Sequence, residues 1–274
     1  MDKNKLTDIS CIILPEETLK DFILPENIPV QLSNNDKGNK KTVDRRYIYH
    51  MFPYLPRKDD YEGLKIDFES ATYISTKDVA YQITKIILFH LDKLSIEPAN
   101  AVIVDATAGV GGNTLSFSTS FREVIAIELD HLRYEYLRNN IEVYRIRNIQ
   151  TIQGDCLEYI SKINSHVVFF DPPWGGKGYK LKDTIDLFLS DTSMSDIMEQ
   201  LLTEKDSSPE LIVIKVPKNF NLEGFYFKLK SKHMFLYNLN KMDIIVIENE
   251  KKLHPNTISI VQAYANEAYP DTIK

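Results

Sequence analysis

Between residues 102 and 216, short apolar runs alternate with longer segments of helical character, and this alternation restricts the chain to few folds. The runs lie at 102–105, 124–127, 149–152, 167–170 and 211–216. Each is too short for a buried helix and is rich in β-branched residues, so each reads as a strand. Strands joined through helices pair in parallel, because a parallel connection needs a crossover long enough to return over the sheet. Two further candidate strands, 244–247 and 258–263, come close together at the end and would form an antiparallel pair. The expected fold is therefore α/β, a mostly parallel seven-stranded sheet flanked by helices.

Ahead of the first strand, Val79, Ile83, Ile86, Ile87 and Leu91 recur at helical spacing, with Ser75 as N-cap and Asp78 three residues on. Residues 1–44 carry no sustained periodicity and include a polar run at 33–41, which suggests a loosely ordered extension. The stretch from Arg45 to Tyr61 differs, since its tyrosines, prolines and Phe52 suit a small packed subdomain. The domain layout is thus an extension at 1–44, a small subdomain at 45–74 that contributes to the site, and a main domain at 75–274.

Composition removes several function classes. A net charge of −6 disfavours a protein that grips a long phosphate backbone, which requires a basic face. Only Cys11 and Cys156 are present, too few for a disulfide framework or a thiolate metal site, and the six histidines show no ligand spacing. Neither a metal nor a membrane anchor is expected, since no window has the apolar length of a bilayer crossing.

The first strand ends at Asp105 and runs into Ala106-Thr107-Ala108-Gly109-Val110-Gly111-Gly112-Asn113, after which a helix begins. Glycines there permit positive φ and close approach of a ligand, and the helix start presents unpaired amides. Taken alone, such a cluster is as often a plain tight turn. Two further acids tip the balance: Glu128 ends the second strand and Asp155 follows the third. Three successive strands ending in carboxylates make a crevice of acceptors suited to a nucleoside. Asp105 would repel a pyrophosphate where one should approach, yet welcome an ammonium, so S-adenosylmethionine fits better than a dinucleotide. Asp130 reads as the N-cap of the helix that follows.

The fourth strand runs into Asp171-Pro172-Pro173-Trp174-Gly175-Gly176. Prolines fix the backbone and carry no amide hydrogen, so a carbonyl can face outward as an acceptor, while the indole can stack on a planar base. An exocyclic amine held by the Asp171 carboxylate or the Pro172 carbonyl would turn its lone pair toward a methyl donor. Asp171, Pro172 and Trp174 are the candidate catalytic residues.

These motifs resemble those of the trimethylguanosine synthases, the RNA cap guanine-N2 methyltransferases. The resemblance rests on residues 105–114 (DATAGVGGNT), 125–130 (IAIELD), Gly154-Asp155 and 171–179 (DPPWGGKGY), within a similarity running from about Arg45 to Ala265. It implies a Rossmann-like class I methyltransferase fold with a small N-terminal helical subdomain. It also implies methyl transfer from S-adenosylmethionine to the exocyclic N2 of 7-methylguanosine on capped RNA or a cap analogue, giving 2,7-dimethylguanosine and, after a second transfer, 2,2,7-trimethylguanosine.

Carried over residue by residue, the resemblance puts Asp105 at the methionine end of the cofactor, Glu128 at the ribose and Asp155 at the adenine. Tyr73, Ser75, Thr107, Ala108, Gly109, Asn113 and Asp171 complete that set. Trp174 would stack on the cationic methylated guanine, and Tyr179 and Lys218 would approach the cap phosphates. Two positions depart from the family pattern. Lys218 stands where an arginine is usual, which keeps the charge and loses the bidentate fork. Asp171 stands where relatives often carry serine, and two roles stay open for it: taking a proton from the amine, or only bonding to it. A monomer is expected, in an intracellular setting: nucleus or cytoplasm, or the host cytoplasm or virion of a virus. Two other functions compete. One is methylation of another DNA or RNA purine amine, which usually needs a basic groove; the other is a catalytically silent cap-binding protein, which should have lost the cofactor acids.

Overall fold

The computed structural model describes residues 12–13, 43, 47–204, 208–230 and 233–252. In chain order the strands and helices are Ile12–Ile13 (β1), Ile48–Met51 (α1), Ser70–Tyr73 (α2), Lys77–Lys93 (α3), Val102–Asp105 (β2), Gly112–Phe117 (α4), Glu123–Glu128 (β3), His131–Tyr144 (α5), Ile149–Gln153 (β4), Val167–Phe170 (β5), Phe188–Leu189 (β6), Thr192–Ser193 (β7), Met194–Thr203 (α6), Leu211–Pro217 (β8), Leu222–Leu229 (α7), Met234–Asn238 (β9) and Met242–Glu248 (β10).

The seven-stranded, mostly parallel sheet is present. Its order is β4-β3-β2-β5-β8-β10-β9, with β10 antiparallel to both neighbours, and β1 adds a short parallel pairing on β9. The five strands from β4 to β8 run in parallel. All residues of β2, β5 and β8 are buried, as strands covered on both faces must be. Alternate residues serve opposite layers. Val104, Val168, Phe170, Ile212 and Ile214 pack with α6 and Phe225, while Ile103, Val167, Phe169, Leu211 and Val213 pack under α3. Each fully buried apolar side chain contributes roughly 1.5–3 kcal/mol, so the sheet is a stiff platform for the loops at its carboxyl ends.

Residues 48–74 pack on this platform rather than standing apart. Ile48, Met51, Phe52, Leu55, Tyr61 and Leu64 share one buried cluster with Ala108 and Val110 of the glycine turn and Leu137 and Ile141 of α5. Asn140, fully buried on α5, fastens the join. Its Oδ1 accepts the Lys65 amide at 2.8 Å, and its Nδ2 donates at 2.9 Å to the carbonyls of Lys65 and Val110.

Two expectations need correction. The strand beside β10 is β9, a run with no alternation because four of its five residues are buried, which conceals it from a period-two reading. The candidate at 258–263 lies outside the described residues. Ser75 does not cap α3: the cap position is Thr76, with no side-chain cap bond, and the Ser75 hydroxyl turns inward to Lys215. Asp130 does cap α5, accepting the Arg133 amide at 2.9 Å.

Candidate active site

The carboxyl ends of β2, β3, β4 and β5 are laced together by backbone bonds. Ala106 donates to the Phe169 carbonyl, Ala108 to Ile127 and Gly154 to Glu128, at 2.9–3.0 Å. The glycine turn therefore lies in a fixed crevice between the strand ends. Gly109 adopts φ +55°, a left-handed conformation that costs other residues energy, and a Cβ there would project into open space. The Glu128 carboxylate clamps the turn from beside it: Oε2 accepts the Gly109 amide at 2.7 Å and Oε1 accepts the Asp130 amide at 2.9 Å.

Asp105 is fully buried at the end of β2, its Oδ2 accepting the Thr114 hydroxyl at 2.6 Å. Its Oδ1 is buried with no hydrogen-bond partner among the described residues, and so is Oδ1 of Asn113. Burial pushes the Asp105 carboxyl up to about 7; Thr114 opposes the shift and the nearby charges of Asp171 and Glu128 add to it. Two orphaned acceptors and a carboxyl starved of positive charge make a niche that a cationic ammonium would satisfy. The methionine end of S-adenosylmethionine has that chemistry, and the open space beside Gly109 leaves the turn accessible to it.

Across from Asp105, the Asp171 amide donates to Thr107 Oγ1 at 2.7 Å, which fastens the second loop to the first. Its carboxylate pairs with Lys215, whose Nζ lies 2.7 Å from Oδ2 and also donates to Ser75 Oγ at 3.0 Å. Burial pushes the Asp171 carboxyl up, while the Lys215 ammonium and the side chains of Ser75 and Asn113 pull it back. Pro172 is buried and Pro173 exposed. Trp174, half-buried, meets Tyr179 edge to face with ring centroids 5.3 Å apart. Gly175 and Gly176 follow at φ +86° and +68°, reversing the chain so that Tyr179 returns to the indole. The exposed Tyr73 stands over the same reversal, its hydroxyl 3.8 Å from where a Cβ of Gly176 would lie.

Asp155 and Lys218 stand farther out. Asp155 accepts the Leu157 amide at 3.0 Å and the Ser190 hydroxyl at 2.6 Å, so the tip of the β6–β7 hairpin reaches over it. Lys218 binds Asp243 at 2.6 Å, so its charge is matched within the chain. Lys215, Asn219 and Ser190 escape sequence reasoning. Asn219 donates at 2.8 Å to the carbonyls of Tyr179 and Lys182, pinning the loop that carries the aromatics. The lysine inside the apolar run LIVIKVP was the available signal for Lys215. Burial pushes the Cys156 thiol up to about 12, which makes it a poor nucleophile. Among the described residues there is no group of three or more metal-ligating side chains and no helix long and apolar enough to cross a membrane.

Comparison with known proteins adds an independent line. A family model described as RNA cap guanine-N2 methyltransferase matches residues 100–266. An uncharacterised protein of Acanthamoeba polyphaga mimivirus is 34% identical over 205 residues, covering 68% of this chain and 79% of its own. The trimethylguanosine synthase of Schizosaccharomyces pombe is 30% identical over 194 residues, 68% of this chain and 70% of its own. Among solved structures, an rRNA methylase from Streptococcus thermophilus superposes with a TM-score of 0.42 at 15% identity, covering 60% of this chain and 95% of its own.

Proposed function

The chain belongs to the RNA cap guanine-N2 methyltransferase family, and on that premise we propose that it methylates the exocyclic N2 of 7-methylguanosine at an RNA 5′ cap. The product is 2,7-dimethylguanosine, and a second transfer yields the 2,2,7-trimethyl form. Membership in a methyltransferase family supports S-adenosylmethionine as the cofactor. When bound, it supplies an electrophilic methyl group: the amine lone pair forms the N–C bond as the C–S bond breaks, and sulfur keeps the electron pair.

The observation that carries the proposal is the bond from the Asp171 amide to Thr107, two residues past Asp105, which fastens the loop bearing Trp174 to the turn that follows Asp105. In this reading Asp105 and Asn113 hold the ammonium and carboxylate end of the cofactor, with Thr107, Ala108 and Gly109 beside them. Glu128 lines the ribose while clamping the turn, and Asp155 lies at the adenine. Tyr73 of the small subdomain and Ser75 at the start of the main domain close the approach, and the two parts work as one unit. The target ring stacks on Trp174, where a cationic purine gains cation–π attraction beyond stacking. The Asp171 carboxylate or the Pro172 carbonyl accepts one N–H of the amine and orients its lone pair, and the proton of the methylated amine leaves to solvent. Tyr179, whose ring meets the indole edge to face, approaches the cap phosphates. Lys218 reaches the cap phosphates by exchanging Asp243 for them.

The test is methyl transfer from labelled S-adenosylmethionine to 7-methyl-GTP and to GTP, with digestion of the product to locate the label. Label on N2 of 7-methyl-GTP alone is the expected result. Label on another base amine, or none despite intact cofactor binding, would sink the cap assignment.

A further inference from the structure

Lys215 is the one lysine among the described residues that is fully buried, at 2% exposure in the middle of β8. Lysine is almost never buried without a partner, because its ammonium loses its hydration shell there. A methionine or leucine would fit that apolar strand at no such cost. Lys215 instead carries its charge up to the crevice. Its Nζ bonds Asp171 Oδ2 at 2.7 Å and Ser75 Oγ at 3.0 Å, and lies 5.3 Å from the centroid of the Trp174 ring. It thereby touches the first residue of the substrate loop, the approach to α3 and the inner face of the stacking aromatic.

We propose that Lys215 is a positioning residue for methyl transfer: it fixes the Asp171 carboxylate in one orientation and keeps it an ionised acceptor for the target amine rather than a carrier of the amine's proton. The inference rests on the methyltransferase reading above and assigns the role of Asp171 within it. A carboxylate offers about four acceptor positions. Lys215 occupies one of them on Oδ2 at 2.7 Å, and Ser75 and Asn113 also favour the ionised form, which narrows the directions from which an amine N–H can come. The charged groups facing Asp171 are Lys215 from β8 and Asp105 from β2. Burial favours a proton on Asp171, so without Lys215 the loop would present a neutral acid whose hydroxyl donates toward the amine and spoils the alignment. Serine at this position needs no such cation, whereas a half-buried aspartate does.

Two readouts test this. In the ligand-free protein, carbon-13 NMR of the aspartate carboxyls follows Asp171, assigned as the resonance missing in Asp171→Asn. Lys215→Met should raise its titration midpoint by about one pH unit or more, as expected for loss of an adjacent opposite charge. In turnover with 7-methyl-GTP, Lys215→Met should lower kcat by about tenfold or more with little change in KM and move the acid limb of kcat to higher pH, while Lys215→Arg recovers part of the loss. An unmoved Asp171 midpoint, or a kcat loss with an unchanged acid limb, overturns the proposal and leaves Lys215 a packing residue. If Lys215→Met does not fold, the double variant Asp171→Asn/Lys215→Met buries neither charge. Its kcat should match that of Asp171→Asn within about threefold, because Lys215 acts only through Asp171; a further tenfold loss overturns the proposal. The NMR titration needs no substrate, so failure of the cap reading and failure of this one are separable.

Discussion

Glu128 Oε2 accepts the amide of Gly109 at 2.7 Å, across 19 residues of sequence. The end of one strand thereby holds the shape of the loop that follows its neighbour, and the acid expected to meet a ribose already has a structural task. Glu128→Ala leaves the Gly109 and Asp130 amides without this acceptor, at about 1–3 kcal/mol for each that stays dry. The melting temperature should fall and S-adenosylmethionine should bind about tenfold or more weakly by calorimetry. Glu128→Gln keeps one carbonyl acceptor and should lose less of both. Equal losses in the two variants would refute the clamp.

Asp105 makes stability and cofactor affinity depend on pH in opposite senses. Its carboxyl ionises at 3.8 when unfolded and about 7 when folded. Between those values the folded state keeps a proton that the unfolded state releases, so the free protein loses stability as pH rises from about 4 to about 7, by at most ~1.4 kcal/mol per pH unit from this group. An incoming ammonium favours the ionised form, so S-adenosylmethionine affinity should rise over the same interval and binding should release a proton near pH 6. In Asp105→Asn, this group's share of the denaturation slope and the proton release should disappear; a persistent proton release would place it on another group.

Trp174→Ala removes the stacking face and its cation–π component, together worth ~1–3 kcal/mol per base. The KM for 7-methyl-GTP should rise about tenfold to a hundredfold, while cofactor affinity measured directly stays within about threefold. Trp174→Phe should fall between wild type and alanine. A variant that loses cofactor binding to the same extent would show that the indole supports the fold rather than the base.

Far from the crevice, His90 Nδ1 lies 2.6 Å from Glu248 Oε1 and its Nε2 lies 2.7 Å from the Tyr237 hydroxyl, with all three side chains buried. Burial pushes the imidazole below its usual range against the pull of Glu248. Burial also opposes the charge on Glu248, but His90 and Lys93 prevail and hold that carboxyl low. A neutral folded His90 means that the unfolded chain alone takes up a proton as pH falls below about 6.5, so this site lowers stability toward acid. His90→Leu breaks the buried pair and should cost ~3–5 kcal/mol in denaturant titration. The double variant His90→Leu/Glu248→Leu should recover much of that loss.

The layered sheet and the outline of the crevice were legible in the chain because both rest on local signals. Strand and helix follow from the spacing of apolar residues, and Asp105, Gly109, Glu128 and Asp171 stand at strand ends that periodicity alone locates. β9 is not legible because a strand buried on both faces shows no alternation, and Ser75 resembles a cap because a serine before a helix does so wherever its hydroxyl points. For Lys215 the one local signal is a charge inside an apolar run, and Asn219 has none; neither reveals a role, because their partners lie 44 and 40 residues away in sequence. Which charges meet, and which acceptors stay without donors, depends on chain segments that folding alone brings together. Short-range pattern determines the elements and strand ends, whereas the electrostatics of the site arises from long-range contacts in a dry interior, where one misplaced charge outweighs many propensities.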